Sequence, residues 1–485
     1  MKRLLALIVG LGFVLRLLFL GQRQLGTEEL MQALVIRPDS LRDILDSLTR
    51  GMYFPAPLDS LFQKMLTVPL GMSNWVLRFH AAIFGALSIW VFAHIARRLF
   101  GDRVALYSAA LFALYPLHYH YSQEARPYSL LTLLTLLSYA LLLKNVSAGN
   151  RARGNWWLLG LILTLLLYSS FLGVVVLVSQ ACGLLAARLA ARMPSAVRMP
   201  AGEDAAHPEL PPPAHSHAAG YALAAAIACA LFLPWAMWAF AKPEIAPASE
   251  VLYPGLPLRL VKEIGDNSYV VSGLLLLAAA AGFRAMRRHG RRQSLAWLLT
   301  WFLVPLPAVV ILAVWSGYFL GIAHVLHATP PLILLAGYGL SYVGERLTIL
   351  PSLPYQISSP AIVYGLLWLL ASSWIAYDHR GRELVDWRGA ALFLEGIVRE
   401  GDALSMPGVA NLLEYHAPSL AQRHVEDLDP GPGILSRENV SRRIVVCYHG
   451  LRPEPCATFL TGAAKDNAWL KREFRGITVF LRRKA

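Results

Sequence analysis

The segment Tyr121-Ser-Gln-Glu-Ala-Arg-Pro-Tyr128 sets a carboxylate, Glu124, and a guanidinium, Arg126, between two long apolar stretches. Ionisable groups at the mouth of a membrane span are costly to keep and usually tied to function. Others gather at corresponding places. Glu28 and Glu29 follow the first apolar run, Asp59 closes Phe54-Pro-Ala-Pro-Leu-Asp59, Arg78 opens the second run, and Arg16 lies near the end of the first. Guanidinium groups suit phosphate oxygens because their donors form a rigid fork. A carboxylate can take the proton from an attacking hydroxyl or amine. These residue types together fit a site that neutralises a lipid-borne phosphate and deprotonates an acceptor.

The elements that must position them are membrane helices. Of 485 residues, 56% are hydrophobic and only 15% charged, and the mean hydropathy is positive. That composition predicts a polytopic α-helical membrane protein. Eleven apolar runs between Leu4 and Tyr377 are candidates to cross a hydrocarbon core of ~30 Å, and the first is an anchor, because Arg16 interrupts it and no cleavage pattern follows. Lysine and arginine cluster in Met1-Lys-Arg3, Ala96 to Arg103, Lys144 to Arg153, Arg188 to Arg198 and Arg284 to Arg292. These loops mark the cytoplasmic side. The chain then divides into a transmembrane domain at 1–377, with an outer loop at 21–74, and a periplasmic α/β domain at 378–485. The expected location is the inner membrane, with a cytoplasmic amino terminus. The net charge of +14 is accounted for by topology, so nucleic acid is not an expected partner. No Gly-x-x-x-x-Gly-Lys pattern occurs, which excludes an ATP-driven pump of that type.

Within the loops, Ser40 to Thr49 has helical apolar spacing behind a serine cap, and Ala241 to Ser268 is broken by prolines. The last domain opens with a helical pattern at Trp387, then strand-like runs at Ala403 to Ser405, Ile444 to Cys447 and Ile477 to Leu481. Cys182 and Cys229 fall inside spans as small apolar residues. Cys447 and Cys456 fall in the outer domain, where an oxidising compartment permits a disulfide, and two unpaired thiols are the alternative.

The residues also admit plainer readings. Glu28 and Glu29 fit simple loop acids, and Glu124 with Arg126 fits an ion pair that fixes its own loop. Arg16 and Arg78 fit side chains that snorkel to lipid headgroups, and Asp59 fits the cap of a helix starting at Ser60. His118 and His120, alternating with Tyr119 and Tyr121, fit an interfacial aromatic belt.

Gln24-Leu-Gly-Thr-Glu28-Glu29, Pro55-Ala-Pro-Leu-Asp59, Asn74 to Gly85, Tyr121 to Tyr128 and Asp386-Trp-Arg-Gly-Ala-Ala391 occur in the order found in one family. The chain resembles membrane glycosyltransferases of the GT-C fold, of the protein O-mannosyltransferase-like, family 39 type from bacteria. The resemblance implies transfer of a sugar from a polyprenyl-phosphate donor to a lipid, glycan or protein acceptor on the outer side, usually with inversion. It makes Glu28 and Glu29 the catalytic residues, and Asp59, Arg78, Glu124, Arg126 and Tyr128 substrate-binding residues; Arg16, from its place near the end of the first run, and His324, standing where the family has a cationic contact, are further substrate-binding candidates. Two departures stand out. The family's Asp-Glu pair reads Glu28-Glu29, with Gly26 where Trp is common, and an Arg-Tyr pair is replaced by Ala323-His324. Some relatives use a divalent cation such as Mg or Mn, and here Glu28 with Glu29 would need further ligands. The rival class is a carrier or flippase for a lipid-linked saccharide, or a non-catalytic relative that binds glycolipid.

Overall fold

The computed structural model describes residues 2–49, 56–147, 155–193, 209–240, 256–316, 322–346, 359–381, 385–400, 402–406, 409–420, 442–449 and 469–483. The chain forms two compact units. One comprises Met1–Gln22 and Ser40–His379, the other Arg23–Asp39 and Arg380–Ala485. The acidic segment that holds Glu28 and Glu29 is therefore grouped with the C-terminal residues.

The first unit is helical. Among the described residues six helices are long and apolar enough to cross a membrane: Asn74–Phe100, Tyr128–Ser147, Gly173–Arg192, His215–Ala239, Tyr269–Arg288 and Arg292–Leu312. Trp156–Ser169 and Val363–Ile375 are apolar but shorter. Proline explains where two of the expected runs differ. The run from Val104 to Leu117 stops as a helix at Ala113, and a new one, Pro116–Tyr121, starts on Pro116. Proline lacks an N–H, so it suits a first helical position, and it forces the preceding Tyr115 into extended backbone (φ −66°, ψ 115°). The run from Leu295 to Val314 becomes Arg292–Leu303 and Pro305–Ser316, jointed at Pro305.

Small residues and buried hydroxyls bring the spans together. Gly282 on Tyr269–Arg288 lies against the Leu335 backbone, and Gly339 on Pro330–Arg346 lies against Ala278 and Gly282, so neither site has room for a Cβ. Backbone approach of this kind supplies van der Waals packing where lipid gives no hydrophobic drive between helices. Elsewhere polar side chains bridge the spans. Gln180 donates to Ser138 Oγ at 2.7 Å, and Tyr139 shares a hydrogen bond with Ser179 at 2.9 Å while stacking on Trp301 at 3.8 Å.

The second unit carries a four-stranded sheet of β1 (Ala403–Ser405), β2 (Arg442–Tyr448), β3 (Leu470–Phe474) and β4 (Ile477–Arg483) in the order β1-β2-β4-β3. β1 and β2 are parallel, and the other pairs are antiparallel. The β3–β4 turn is Arg475-Gly476, with Gly476 at φ 70°, a left-handed conformation that glycine adopts without penalty. Val445, Cys447 and Phe480 pack with Trp469. Helix Trp387–Ile397 is capped by Asp386, whose carboxylate accepts from the Gly389 N–H at 2.9 Å. Cys447 is disulfide-bonded, Cys182 and Cys229 are free thiols, and Cys456 lies outside the described residues, as does Pro55.

Candidate functional site

The first helix, Lys2–Leu17, unwinds at its end, where Phe19 takes a positive φ of 62°. A helix terminus leaves carbonyls without intrahelical partners. Here side chains from distant segments satisfy them. Gln123 Nε2 donates to the Arg16 and Leu18 carbonyls at 3.0 and 2.9 Å, and Arg78 Nη1 donates to the Leu20 carbonyl at 2.9 Å. Arg78 is 1% exposed, so it does not lie along a headgroup surface.

Arg16, fully buried, joins the same knot. Its Nε donates to Ser122 Oγ at 3.1 Å, Nη1 to the Gly12 and Ala113 carbonyls at 2.8 and 3.3 Å, and Nη2 to His118 Nδ1 at 2.8 Å. Guanidinium is a donor only, so His118 Nδ1 must be the acceptor and Nε2 must carry the proton. Burial and the neighbouring Arg16 charge push the His118 pKa well down, which keeps it neutral. Gly85 on helix Asn74–Phe100 makes this closeness possible, because a Cβ there would overlap Ser122 and press on Arg16 Nε. Gly85→Ala should lower the thermal midpoint, at a cost of about 1–3 kcal/mol. In an uncrowded helix the same change would stabilise by about 1 kcal/mol, so an unchanged or raised midpoint refutes the crowding.

A second knot holds the loop from the other side. Asp59, 1% exposed in the first turn of helix Pro57–Leu70, receives hydrogen bonds from His80 Nε2 at 3.0 Å and Gln63 Nε2 at 2.9 Å. Gln63 uses its other N–H on the Ala125 carbonyl, at 3.2 Å. The helix begins at Pro57, so Asp59 does not cap a helix at Ser60. Glu124-Ala125-Arg126 is thus pinned through its middle carbonyl.

His120 forms the third tie. Its Nε2 meets Glu124 Oε1 at 2.8 Å, and its Nδ1 meets Asp266 Oδ1 at 3.2 Å. Carboxylates only accept, so both ring nitrogens carry protons and the ring is a cation. Burial alone would lower its pKa, but Glu124 and Asp266 outweigh that and raise it to about 9. The contact is therefore complete below the ordinary imidazole value of 6.5 and is lost as pH rises through about 9. Histidine side-chain NMR should place this midpoint near 9, lower in Glu124→Gln and in Asp266→Asn, and a wild-type midpoint near 6.5 would contradict the double contact. Asp266 itself adopts a positive φ of 54°, two residues after helix Leu256–Ile264, whose last carbonyl accepts from Tyr115 Oη at 2.5 Å.

Arg126 lies over the Tyr128 ring at 5.6 Å, and an aromatic chain continues from there. Tyr128 meets Tyr121 edge-on at 5.0 Å and His324 edge-on at 6.1 Å, while His120 stacks on Tyr121 at 4.8 Å. The structure thereby gathers Arg16, Asp59, Arg78, Glu124, Arg126, Tyr128 and His324 in the first unit. Gln63, His80, Gln123 and Asp266 join them, none of which sequence reading had singled out, and His120 takes a part there beyond an interfacial belt. The i,i+4 spacing of Asp59 and Gln63 was the available signal for that pair.

Glu28 and Glu29 lie in the second unit, on helix Thr27–Ile36. They differ in kind. Glu29 is buried, and its Oε2 accepts from the Gly26 N–H at 2.9 Å, which caps the helix. Glu28 is exposed. Thr27 anchors this helix start, accepting from Trp387 Nε1 at 3.2 Å and sharing a 3.4 Å contact with Tyr448 Oη. Among the described residues no group of three or more His, Cys, Asp or Glu is arranged to hold a metal ion.

The architecture defines a class. The chain superposes on ArnT from Cupriavidus metallidurans in the apo state with a TM-score of 0.59 and 14% identity, covering 98% of this chain and 97% of that one. The form of ArnT bound to undecaprenyl phosphate gives a TM-score of 0.58 at 14% identity, with the same coverage of both chains. The oligosaccharyltransferase AglB from Archaeoglobus fulgidus, complexed with an inhibitory peptide and a dolichol-phosphate, gives 0.55 at 11% identity over 92% of this chain and 69% of that one. The protein is a polytopic helical membrane protein, and its fold is the one seen in ArnT and AglB. Residues 55–199, which hold Asp59, Arg78, Glu124, Arg126 and Tyr128, match the family model PMT_2, dolichyl-phosphate-mannose-protein mannosyltransferase. No curated protein sequence matches the chain.

Proposed function

We propose that this protein moves a sugar from a polyprenyl-phosphate donor to an acceptor on the extracytoplasmic side of the membrane. The acceptor's hydroxyl or amine attacks the anomeric carbon, the bond from that carbon to the phosphate oxygen breaks, and polyprenyl phosphate leaves with inverted configuration at the sugar. The acceptor's proton goes to Glu28. Arg126 meets the developing phosphate charge with its forked donors, Arg16 orders the segment that carries it, and Arg78 holds the end of the first helix through the Leu20 carbonyl. The observation that supports this most is the tying of 122–127 by three independent knots within a segment matching the mannosyltransferase model. Preorganised donors cost no reorganisation when charge develops, which is what phosphate departure requires.

The same reading holds the chain to the inner membrane with its amino terminus inside, eleven crossings, residues 378–485 in the periplasm and a Cys447–Cys456 disulfide. The transferred unit is a hexose or pentose. The test uses membranes containing the full chain, loaded with radiolabelled undecaprenyl-phosphate sugars. Label that passes to a lipid, glycan or protein acceptor supports the enzyme. Label that crosses the bilayer while still attached to its lipid makes the protein a carrier.

A further inference from the structure

His327 ends the short 3-10 segment Ile322–Ala328, which packs against helices Pro116–Tyr121, Tyr128–Ser147, Leu256–Ile264 and Arg292–Leu303. It is 1% exposed, and neither ring nitrogen has a hydrogen-bond partner among the described residues. Its backbone carbonyl, by contrast, is fixed by Trp301 Nε1 at 3.1 Å. A 3-10 helix turns every three residues, so His324 and His327 share a face. His324 on that face stands edge-on to Tyr128, and Tyr128 lies under Arg126. A buried imidazole with both nitrogens unmet is expensive, and such groups in folded proteins generally have a reason to be there.

Resting on the transferase reading above, we propose that His327 is a sugar-binding residue: its ring, on the face that presents His324 to Tyr128, hydrogen-bonds a hydroxyl of the donor's sugar and not the lipid phosphate. A neutral imidazole offers one N–H and one bare nitrogen, and a hydroxyl both donates and accepts, so one hydroxyl or two neighbouring ones satisfy both atoms. Phosphate oxygens only accept and would leave the bare nitrogen unmet. Burial, with His324 adding to it, lowers the His327 pKa to about 4, so the ring is neutral at any working pH and suits a sugar better than an anion. The division of labour is then phosphate on Arg126 and sugar on His327, with Tyr128 and His324 between them.

The experiment measures binding of bare undecaprenyl phosphate and of a panel of undecaprenyl-phosphate hexoses and pentoses to the full chain in nanodiscs. Wild type, His327→Phe and His327→Asn are compared, with thermal midpoints. His327→Phe should weaken the preferred sugar lipid about tenfold or more, because a site built for hydrogen bonds loses them. It should leave bare undecaprenyl phosphate unchanged and the empty protein as stable or more so, since an apolar ring replaces an unmet polar one. His327→Asn, which keeps a donor and an acceptor, should recover part of the affinity. Equal weakening of both lipids assigns His327 to the phosphate and overturns the proposal. An unchanged affinity for both, or a midpoint that falls in both variants without ligand, makes it a core residue satisfied internally and also overturns it. Wild type that binds bare undecaprenyl phosphate but prefers no sugar lipid overturns it while leaving the lipid-phosphate site standing. Wild type that binds neither lipid removes the transferase reading itself.

Discussion

Glu28→Gln lowers sugar transfer by about 10²- to 10⁴-fold while leaving donor binding and stability near wild type. The amide keeps the size of the side chain but cannot take the acceptor's proton, and a positioned base contributes about that much. Glu28 is exposed on the first turn of its helix, so the substitution should disturb folding little. Glu29→Gln separates the two acids. Glu29 caps the Gly26 N–H, and an amide oxygen still accepts there, so its loss of rate should be small beside that of Glu28→Gln. Single-turnover transfer at saturating donor decides the matter. If Glu28→Gln stays within about threefold of wild type while Glu29→Gln does not, the roles are exchanged, and if both stay active the base lies elsewhere.

Arg16→Leu is expected to cost the folded state about 3–5 kcal/mol, enough to remove most of the monodisperse protein after extraction. The guanidinium makes four hydrogen bonds to Gly12, Ala113, His118 and Ser122, and its loss strands their acceptors in an environment without water. Arg16→Lys should rescue little, because a single ammonium on a flexible stem cannot span acceptors arranged for a fork. The measurement is the thermal midpoint by monodispersity, together with undecaprenyl-phosphate binding. A variant that stays folded but no longer binds lipid phosphate would return Arg16 to the direct phosphate contact suggested by its place near the end of the first apolar run.

The helices are legible in the sequence where apolar runs are long and uninterrupted, as at Asn74–Phe100 and Tyr128–Ser147. They are least legible at proline. Pro116 and Pro305 restart helices within runs that hydropathy averages across, because hydropathy does not register a missing N–H. Of the site, the charged residues were legible because charge next to an apolar run is rare. Their partners were not. Gln123, Gln63 and His80 are unremarkable in a linear string, and they matter only because folding sets them against carbonyls and carboxylates far away in the chain, such as Leu18 and Ala125. His120 was read as an interfacial aromatic because its second partner, Asp266, lies 146 residues on. The division between Glu28 and Glu29 was equally hidden, since two adjacent acids on a helix differ only in which one turns back to the terminus.

The Arg16 knot also sets a constraint on biogenesis. The acceptors at Ala113, His118 and Ser122 follow Arg16 by 97 to 106 residues, and at synthesis rates of roughly 5–20 residues per second they emerge roughly 5–20 seconds later. During that interval the nascent first helix carries a guanidinium whose only protein partner within reach is the Gly12 carbonyl one turn behind it. Full insertion before the 113–122 segment arrives therefore carries an unpaired guanidinium, at a cost of roughly 2.5–3.5 kcal/mol at the centre of a span and less near its end. The polar packing of the first helix is complete only once residues 113–122 have been made.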